Sequence, residues 1–172
     1  RLGLGVAKLA EALEEKGSRL ILRRGRALEV LRALVKETSA GAVYWSRLYD
    51  PAAKDRDTGV KSALKEDGID AQSFAGHLLF EPWTVETKTG GYYKVYTPMW
   101  RMVKDRDVPS DVPTPGRIPA PEAWPASDAL DEWQMGAAMH RGAEIVLPHT
   151  TVGEAAASSR LGNFIANWVA QY

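Results

Sequence analysis

Residues 42–75, AVYWSRLYDPAAKDRDTGVKSALKEDGIDAQSFA, contain a strand, a helix and a second strand in succession. The first five of them, AVYWS, are mostly β-branched or aromatic, which is typical of a buried strand. Pro51 stands where a first-turn proline is tolerated, and Gly68 ends the charged helix before the second strand, at 71–75. Strands joined by a single helix pair in parallel through a right-handed crossover. This stretch therefore predicts an α/β fold.

The same alternation extends towards the N-terminus. Apolar residues three and four apart predict a helix over 2–15, and RLILR at 19–23, between Gly17 and Gly25, predicts a short strand. A second helix is predicted over 26–37 by the same periodicity. The order helix, strand, helix, strand, helix, strand predicts three parallel strands in a layered α/β arrangement.

The middle of the chain changes to turns and aromatic residues. A tight turn at 89–91 separates two short stretches, 83–88 and 92–96. Residues 97–98, Thr-Pro, begin a short helix. This change in composition marks the end of the alternating strands and helices.

Six prolines fall between residues 108 and 125, so this segment cannot be regular and is expected to run extended over a surface as a linker. A short helix is predicted at 128–135. A long helix is predicted over 150–172, with Thr151 and Glu154 at capping-box spacing. The apolar face of that helix has little to pack against within the chain. We therefore expect the helix to belong to a structural unit that follows in the sequence.

Composition excludes several classes of function. Lys plus Arg and Asp plus Glu both total 22, so the net charge is zero and any contact with nucleic acid needs a local patch. The chain has no Cys, which excludes disulfides, thiolate metal sites and cysteine nucleophiles. Its apolar runs fall far short of the roughly 20 residues that cross a bilayer, and no signal peptide is recognisable. We expect a soluble, cytoplasmic protein.

The residues themselves indicate no catalytic or metal site. His77, His140 and His149 are scattered without ligand spacing, so no metal is predicted. No serine has the flanking glycines of a nucleophile elbow. No catalytic residue is predicted within the chain.

Two runs resemble a diagnostic segment of photolyases and cryptochromes: GHLLFEPW at 76–83 and YYKVYTPMWR at 92–101. Upstream, residues 43–57 resemble the family's strand and the helix start that follows it. Downstream, residues 152–172 are similar to the helix that leads into the family's flavin domain. The resemblance covers nearly the whole chain.

The resemblance implies an incomplete doubly wound parallel sheet, Rossmann-like, as in the family's N-terminal domain. That domain has five parallel strands in the order 3-2-1-4-5, and the three strands predicted here match the third, fourth and fifth. We therefore expect that about two strands are missing before Arg1. The implied domains are an antenna domain at 1–105, a proline-rich interdomain linker at 106–149 and the first helix of the FAD-binding domain at 150–172.

The activity implied is that of a deoxyribodipyrimidine photolyase, in which light drives the repair of cyclobutane pyrimidine dimers in UV-damaged DNA. FAD would be held mostly outside this chain, and DNA would bind through the missing C-terminal domain. The chain alone is expected to be inactive and to purify without a flavin colour. Two alternatives stay open: a cryptochrome-type blue-light photoreceptor, and a free-standing nucleotide-binding α/β module. Self-association through the exposed C-terminal helix also stays open.

The resemblance also suggests cofactor-binding residues. Tyr172 matches a tyrosine that contacts the flavin phosphate in the family. Arg47, Tyr49 and Asp50 cluster at the carboxyl end of a strand, where ligands of parallel sheets gather. Asp50 is equally explained as the cap of the following helix.

The antenna chromophore stays open among folate, deazaflavin, flavin and none. Ala52 and Ala53 occupy the positions of the family's folate-binding Asn-Glu pair and lack hydrogen-bonding side chains. Leu48 occupies the position of the acid found in deazaflavin-binding relatives. Neither of these two antennas is therefore favoured.

Overall fold

The computed structural model describes residues 2–108, 110 and 112–171. Its helices and strands follow in this order: α1 (Leu2–Glu15), α2 (Ala27–Thr38), β1 (Ala42–Ser46), α3 (Pro51–Glu66), β2 (Asp70–Phe74), α4 (Tyr96–Val103), α5 (Arg141–Val146) and α6 (Glu154–Asn167). Short 3₁₀ turns lie at Pro82–Thr84, Leu130–Trp133, Ala137–Met139, Leu147–His149 and Val169–Gln171. The chain divides into two compact units: Arg26–Pro113, which we call the sheet unit, and Arg1–Gly25 with Thr114–Tyr172, which we call the helical unit. Across the described residues, every helix is too short or too polar to span a lipid bilayer.

The sheet unit is built on two parallel strands. β1 pairs with β2 in a register that runs from Ala42 opposite Asp70 to Ser46 opposite Phe74. The crossover between them is α3, as the α/β pattern predicts. The predicted parallel α/β arrangement is confirmed for these two strands.

One face of this sheet carries the core of the unit. Leu64 and Ala71 are fully buried, at 0% exposure, and pack with Val60. The apolar residues that surround them come from α2, β1 and the turn before β2: Ala27, Leu28, Leu31, Val43, Trp45 and Ile69. Since strand residues alternate between faces, Tyr44 and Phe74 lie on the opposite face, where their rings meet edge to face at 5.6 Å.

The start of α3 follows from its capping residue. The Asp50 carboxylate accepts a hydrogen bond from the Ala53 N–H at 2.9 Å, and Pro51 occupies the first turn, where its missing N–H costs nothing. The capping role predicted for Asp50 is confirmed. Gly68 follows the helix with a φ of +81°, a conformation that glycine adopts without a Cβ penalty.

The strand predicted at 19–23 is wrong. These residues are not in a ladder and belong to the helical unit, not to the sheet. Leu22 donates its N–H to the Ser127 hydroxyl and accepts the Asp128 N–H on its carbonyl, both at 2.8 Å. A β-branched and aliphatic run becomes a strand only when another strand lies beside it, and here an irregular segment satisfies its backbone instead.

The C-terminal half follows the predictions in part. The described residues between α4 and Leu130 form no helix or strand, in agreement with the predicted extended segment. The helix predicted from Thr150 begins later, at Glu154, and its N-cap is Gly153, without a side-chain cap. The predicted capping box is therefore wrong, since the Thr151 hydroxyl caps nothing. α5 was not predicted.

The turn predicted at 89–91 is confirmed. A single antiparallel bridge joins Glu86 to Tyr92, and the Thr87 N–H donates to the Gly91 carbonyl at 2.9 Å. The helix predicted from Thr97 is α4. Residues 83–95 therefore form a loop that contains one antiparallel bridge and leads into α4.

Candidate functional site

Arg47 lies at the carboxyl end of β1 and connects the two strand ends. Its N–H donates to the Phe74 carbonyl at 2.8 Å, which continues the ladder by one bond. Its guanidinium donates to the Ser73 carbonyl at 2.8 Å and to the Glu81 carboxylate. The side chain is thus held by a backbone acceptor and by an ion pair at the edge where ligands of parallel sheets gather.

Glu81 is shared between Arg47 and Tyr49. One carboxylate oxygen accepts the Arg47 guanidinium, and the other accepts the Tyr49 hydroxyl at 3.0 Å. The side chain of Glu81 is 17% exposed and that of Arg47 is 29% exposed, so this pair is largely shielded from water. Burial raises the pKa of Tyr49, and the hydrogen bond to Glu81 raises it further, because a phenolate beside a carboxylate is disfavoured.

Trp83 completes this cluster. The Arg47 guanidinium lies over its ring, 5.1 Å from the centroid, in cation–π geometry. Trp83 as a residue is 57% exposed, so it is not enclosed by the protein and is accessible to a ligand. A planar heterocycle is the kind of group that such a ring stacks against.

Gly76 brings the aromatic segment close to β1. A Cβ placed on Gly76 would lie 2.9 Å from the Ser46 hydroxyl oxygen and 3.2 Å from the Ser46 Cβ. Only glycine fits at this approach without displacing Ser46. The close approach explains the first residue of the GHLLFEPW run.

A small cleft of about 210 Å³ adjoins this cluster, between α3 and the strand ends. Its lining residues are Trp45, Arg47, Leu48, Lys54, Asp57, Thr58, Lys61, Ser73 and Trp83. The Lys61 ammonium donates to the Ser73 hydroxyl at 3.3 Å, which links the helix to β2 across the cleft. Aromatic and cationic groups therefore line one cavity at the carboxyl ends of the two strands.

The structure does not bring all of the predicted cofactor-binding residues together. Arg47 and Tyr49 meet on Glu81, whereas the Asp50 side chain is engaged by the first turn of α3. Tyr172 lies outside the described residues. Among the described residues, no group of three or more His, Asp or Glu side chains could hold a metal ion.

Sequence reasoning missed Glu81, Trp83 and the two lysines of the cleft. A signal for Glu81 was available, since it is the one charged residue in the apolar and aromatic run LLFEPW. A carboxylate in such a run needs a cationic or hydrogen-bonding partner when it is buried. Nothing local pointed to Arg47 as that partner.

The family model for DNA photolyase matches residues 2–120. The chain belongs to the DNA photolyase family. It is 39% identical over 161 residues to a deoxyribodipyrimidine photo-lyase of Agrobacterium fabrum, and 36% identical over 126 residues to one of Halobacterium salinarum. These alignments cover 93% and 73% of this chain.

A solved structure gives the same assignment. The crystal structure of a bacterial class III photolyase from Agrobacterium tumefaciens is similar to this photolyase-family chain with a TM-score of 0.74 and 41% identity, over 78% of the chain. The chain spans 34% of the A. fabrum relative, 24% of the H. salinarum relative and 28% of the solved chain. The chain thus corresponds to about a third or less of each of these photolyases.

Proposed function

We propose that the complete protein is a deoxyribodipyrimidine photolyase that repairs cyclobutane pyrimidine dimers in UV-damaged DNA under blue light. The similarity to the Agrobacterium photolyase over almost the whole of this chain carries this proposal. When bound, a reduced FAD would supply an electron to the dimer and take it back after the ring has split. Both the flavin and the DNA would be held mainly by residues beyond this chain.

Within that protein, we assign the light-harvesting role to this chain. The proposed parts are an antenna domain at 1–105, a linker at 106–149 and the first helix of the FAD-binding domain at 150–172, where Tyr172 would contact the flavin phosphate. The cleft at the strand ends supports this assignment, because it combines an exposed tryptophan with cationic side chains.

The residues at the strand ends would act in different ways. Arg47 and Tyr49 would contact the chromophore from positions fixed by Glu81. Asp50 would act by fixing the start of α3, which carries part of the cleft lining. This arrangement keeps the chromophore-facing groups immobile, which favours a fixed orientation of the bound ring.

The repair function is tested on the complete gene product. DNA that carries thymine dimers is incubated with the purified protein in blue light and in the dark, and the remaining dimers are counted. Light-dependent loss of dimers is expected. Bound flavin without any loss of dimers would contradict the proposal and would favour a cryptochrome-type photoreceptor.

We also propose a cytoplasmic location and self-association of the chain when it is produced alone. The support for self-association is the exposed apolar residues of α6, which include Leu161, Ile165 and the following Trp168. Sedimentation of the chain and of its Ile165→Lys variant tests this proposal. A monomeric unsubstituted chain would contradict it.

A further inference from the structure

The cleft at the strand ends contains more positive charge than the neighbouring carboxylates neutralise. Two of its charged residues are already paired. Arg47 is bound by Glu81, and the Asp57 carboxylate is bound by Arg56, with 2.6 Å between the Arg56 Nη2 and the Asp57 Oδ1. The partners, Glu81 and Arg56, do not line the cleft themselves, but each balances the charge of the lining residue that it contacts.

Lys54 and Lys61 supply the surplus. Both line the cleft from α3, and neither forms an ion pair with a carboxylate among the described residues. Lys61 reaches only a neutral partner, the Ser73 hydroxyl. Two positive charges that face one small cavity without a carboxylate partner attract an anion.

The size of the cleft limits what can enter it. Cavities that enclose a whole cofactor-sized ligand are about 300–1,000 Å³, larger than this one of about 210 Å³. The cleft therefore suits one polar group of a larger molecule. The rest of that molecule would lie outside, beside the exposed ring of Trp83.

We propose that Lys54 and Lys61 bind the phosphate monoester of an aromatic chromophore, with the ring system of that chromophore against Trp83. A phosphate monoester carries nearly two negative charges at neutral pH, which matches the two unpaired ammonium groups. Thr58 and Ser73 add hydroxyl donors for its oxygens. This inference rests on the proposed light-harvesting role and names the chemical class of its ligand, a phosphorylated heterocycle.

Two flavins that differ only in the phosphate test the proposal. Binding of flavin mononucleotide and of riboflavin to the 172-residue chain is followed by flavin fluorescence. We expect flavin mononucleotide to bind about tenfold more tightly or better, with an advantage that falls as salt is raised. In the double variant Lys54→Gln with Lys61→Gln, the two flavins should bind equally, at the affinity of riboflavin.

Lys65→Gln is the matched control, since Lys65 lies on α3 but does not line the cleft. Circular dichroism and thermal unfolding report whether each variant folds. If the double variant is unfolded, the exposed Lys54→Gln alone should still remove a large part of the preference for phosphate. A preference that survives in a folded double variant, or that Lys65→Gln removes equally, would overturn the proposal.

The experiment distinguishes a failure of the proposed light-harvesting role from a failure of the phosphate assignment. Equal binding of both flavins by the unsubstituted chain supports a chromophore site and overturns the phosphate assignment. If neither flavin binds, inorganic phosphate is titrated and its phosphorus NMR line width is followed. Broadening that the double variant abolishes supports a phosphate site without a flavin, and an unchanged line overturns the assignment.

Discussion

Tyr49 donates its hydroxyl hydrogen to the Glu81 carboxylate over 3.0 Å, which joins the turn after β1 to the loop after β2. The same carboxylate holds Arg47, so one side chain positions both of the residues that we assign to the chromophore. Such a shared acceptor couples the two loops through one side chain.

Replacing Glu81 by Gln should lower the pKa of Tyr49 towards its ordinary value of 10.0. The amide removes the negative charge that disfavours the phenolate, whereas burial, the larger cause of the raised pKa, remains. Tyrosinate absorbance during an alkaline titration measures the change. Tyr49→Phe identifies the part of the signal that belongs to Tyr49, and an unchanged titration in Glu81→Gln would contradict the shared hydrogen bond.

Gly76→Ala should destabilise the sheet unit by about 1–3 kcal/mol, because the new methyl group would overlap Ser46. Adding Ser46→Gly should restore part of the loss, because it removes the overlap although a glycine weakens β1. Gly59→Ala is the matched control: a Cβ at Gly59, in the middle of α3, meets no atom within 4 Å. That change should stabilise α3 by about 0.5–1 kcal/mol. Denaturant unfolding measures all three variants, and equal effects of both alanines would exclude the close approach.

Substitutions of Asp50 separate its capping role from a contact with the chromophore. Asp50→Ala should cost about 1 kcal/mol of stability, because the Ala53 N–H loses its acceptor. Asp50→Asn keeps an acceptor and should be nearly as stable as the unsubstituted chain. Thermal unfolding and flavin binding are measured on both variants. Weak flavin binding by a stable Asn variant would mean that the carboxylate contacts the ligand directly.

The stability contributed by Tyr44 and Asp70 should depend on pH at both extremes. Tyr44 donates to the Asp70 carboxylate at 2.5 Å, which lowers the pKa of Asp70 below 3.8 and raises that of Tyr44 above 10.0. The contribution is therefore lost as pH falls through the lowered pKa of Asp70, and also as pH rises through the raised pKa of Tyr44.

The melting temperature of Tyr44→Phe, measured against pH, checks this expectation. The melting temperature of Tyr44→Phe should differ most from that of the unsubstituted chain between pH 3.8 and pH 10.0. The difference should become smaller below pH 3.8 and above pH 10.0. Tyr96→Phe is the control, since Tyr96 stacks on Trp100 and is not paired with Asp70. A constant difference across the whole range would contradict the coupling.

The elements that the sequence predicted well are those whose signals lie in neighbouring residues. α1 and α2 were predicted from apolar periodicity, α3 from Pro51 and Gly68, and β1 from its β-branched and aromatic residues. The Asp50 cap needs only the N–H three residues later. Where a signal depended on a distant partner, prediction failed. RLILR at 19–23 has the composition of a strand, but its backbone bonds to residues about a hundred positions away and not to a sheet.

By itself, the sequence determined an α/β chain with parallel strands and, through the GHLLFEPW and YYKVYTPMWR runs, its family. Only the tertiary structure decided which charges meet. Glu81 is 34 residues from Arg47. Trp83, which lines the same cleft as the two lysines, comes 22 residues after Lys61 and 29 after Lys54. Periodicity and capping act within a few residues, whereas an ion pair or a cavity depends on how separate elements pack. Interactions between neighbouring residues therefore determine the helices and strands, whereas the packing of separate elements determines which side chains meet at the site.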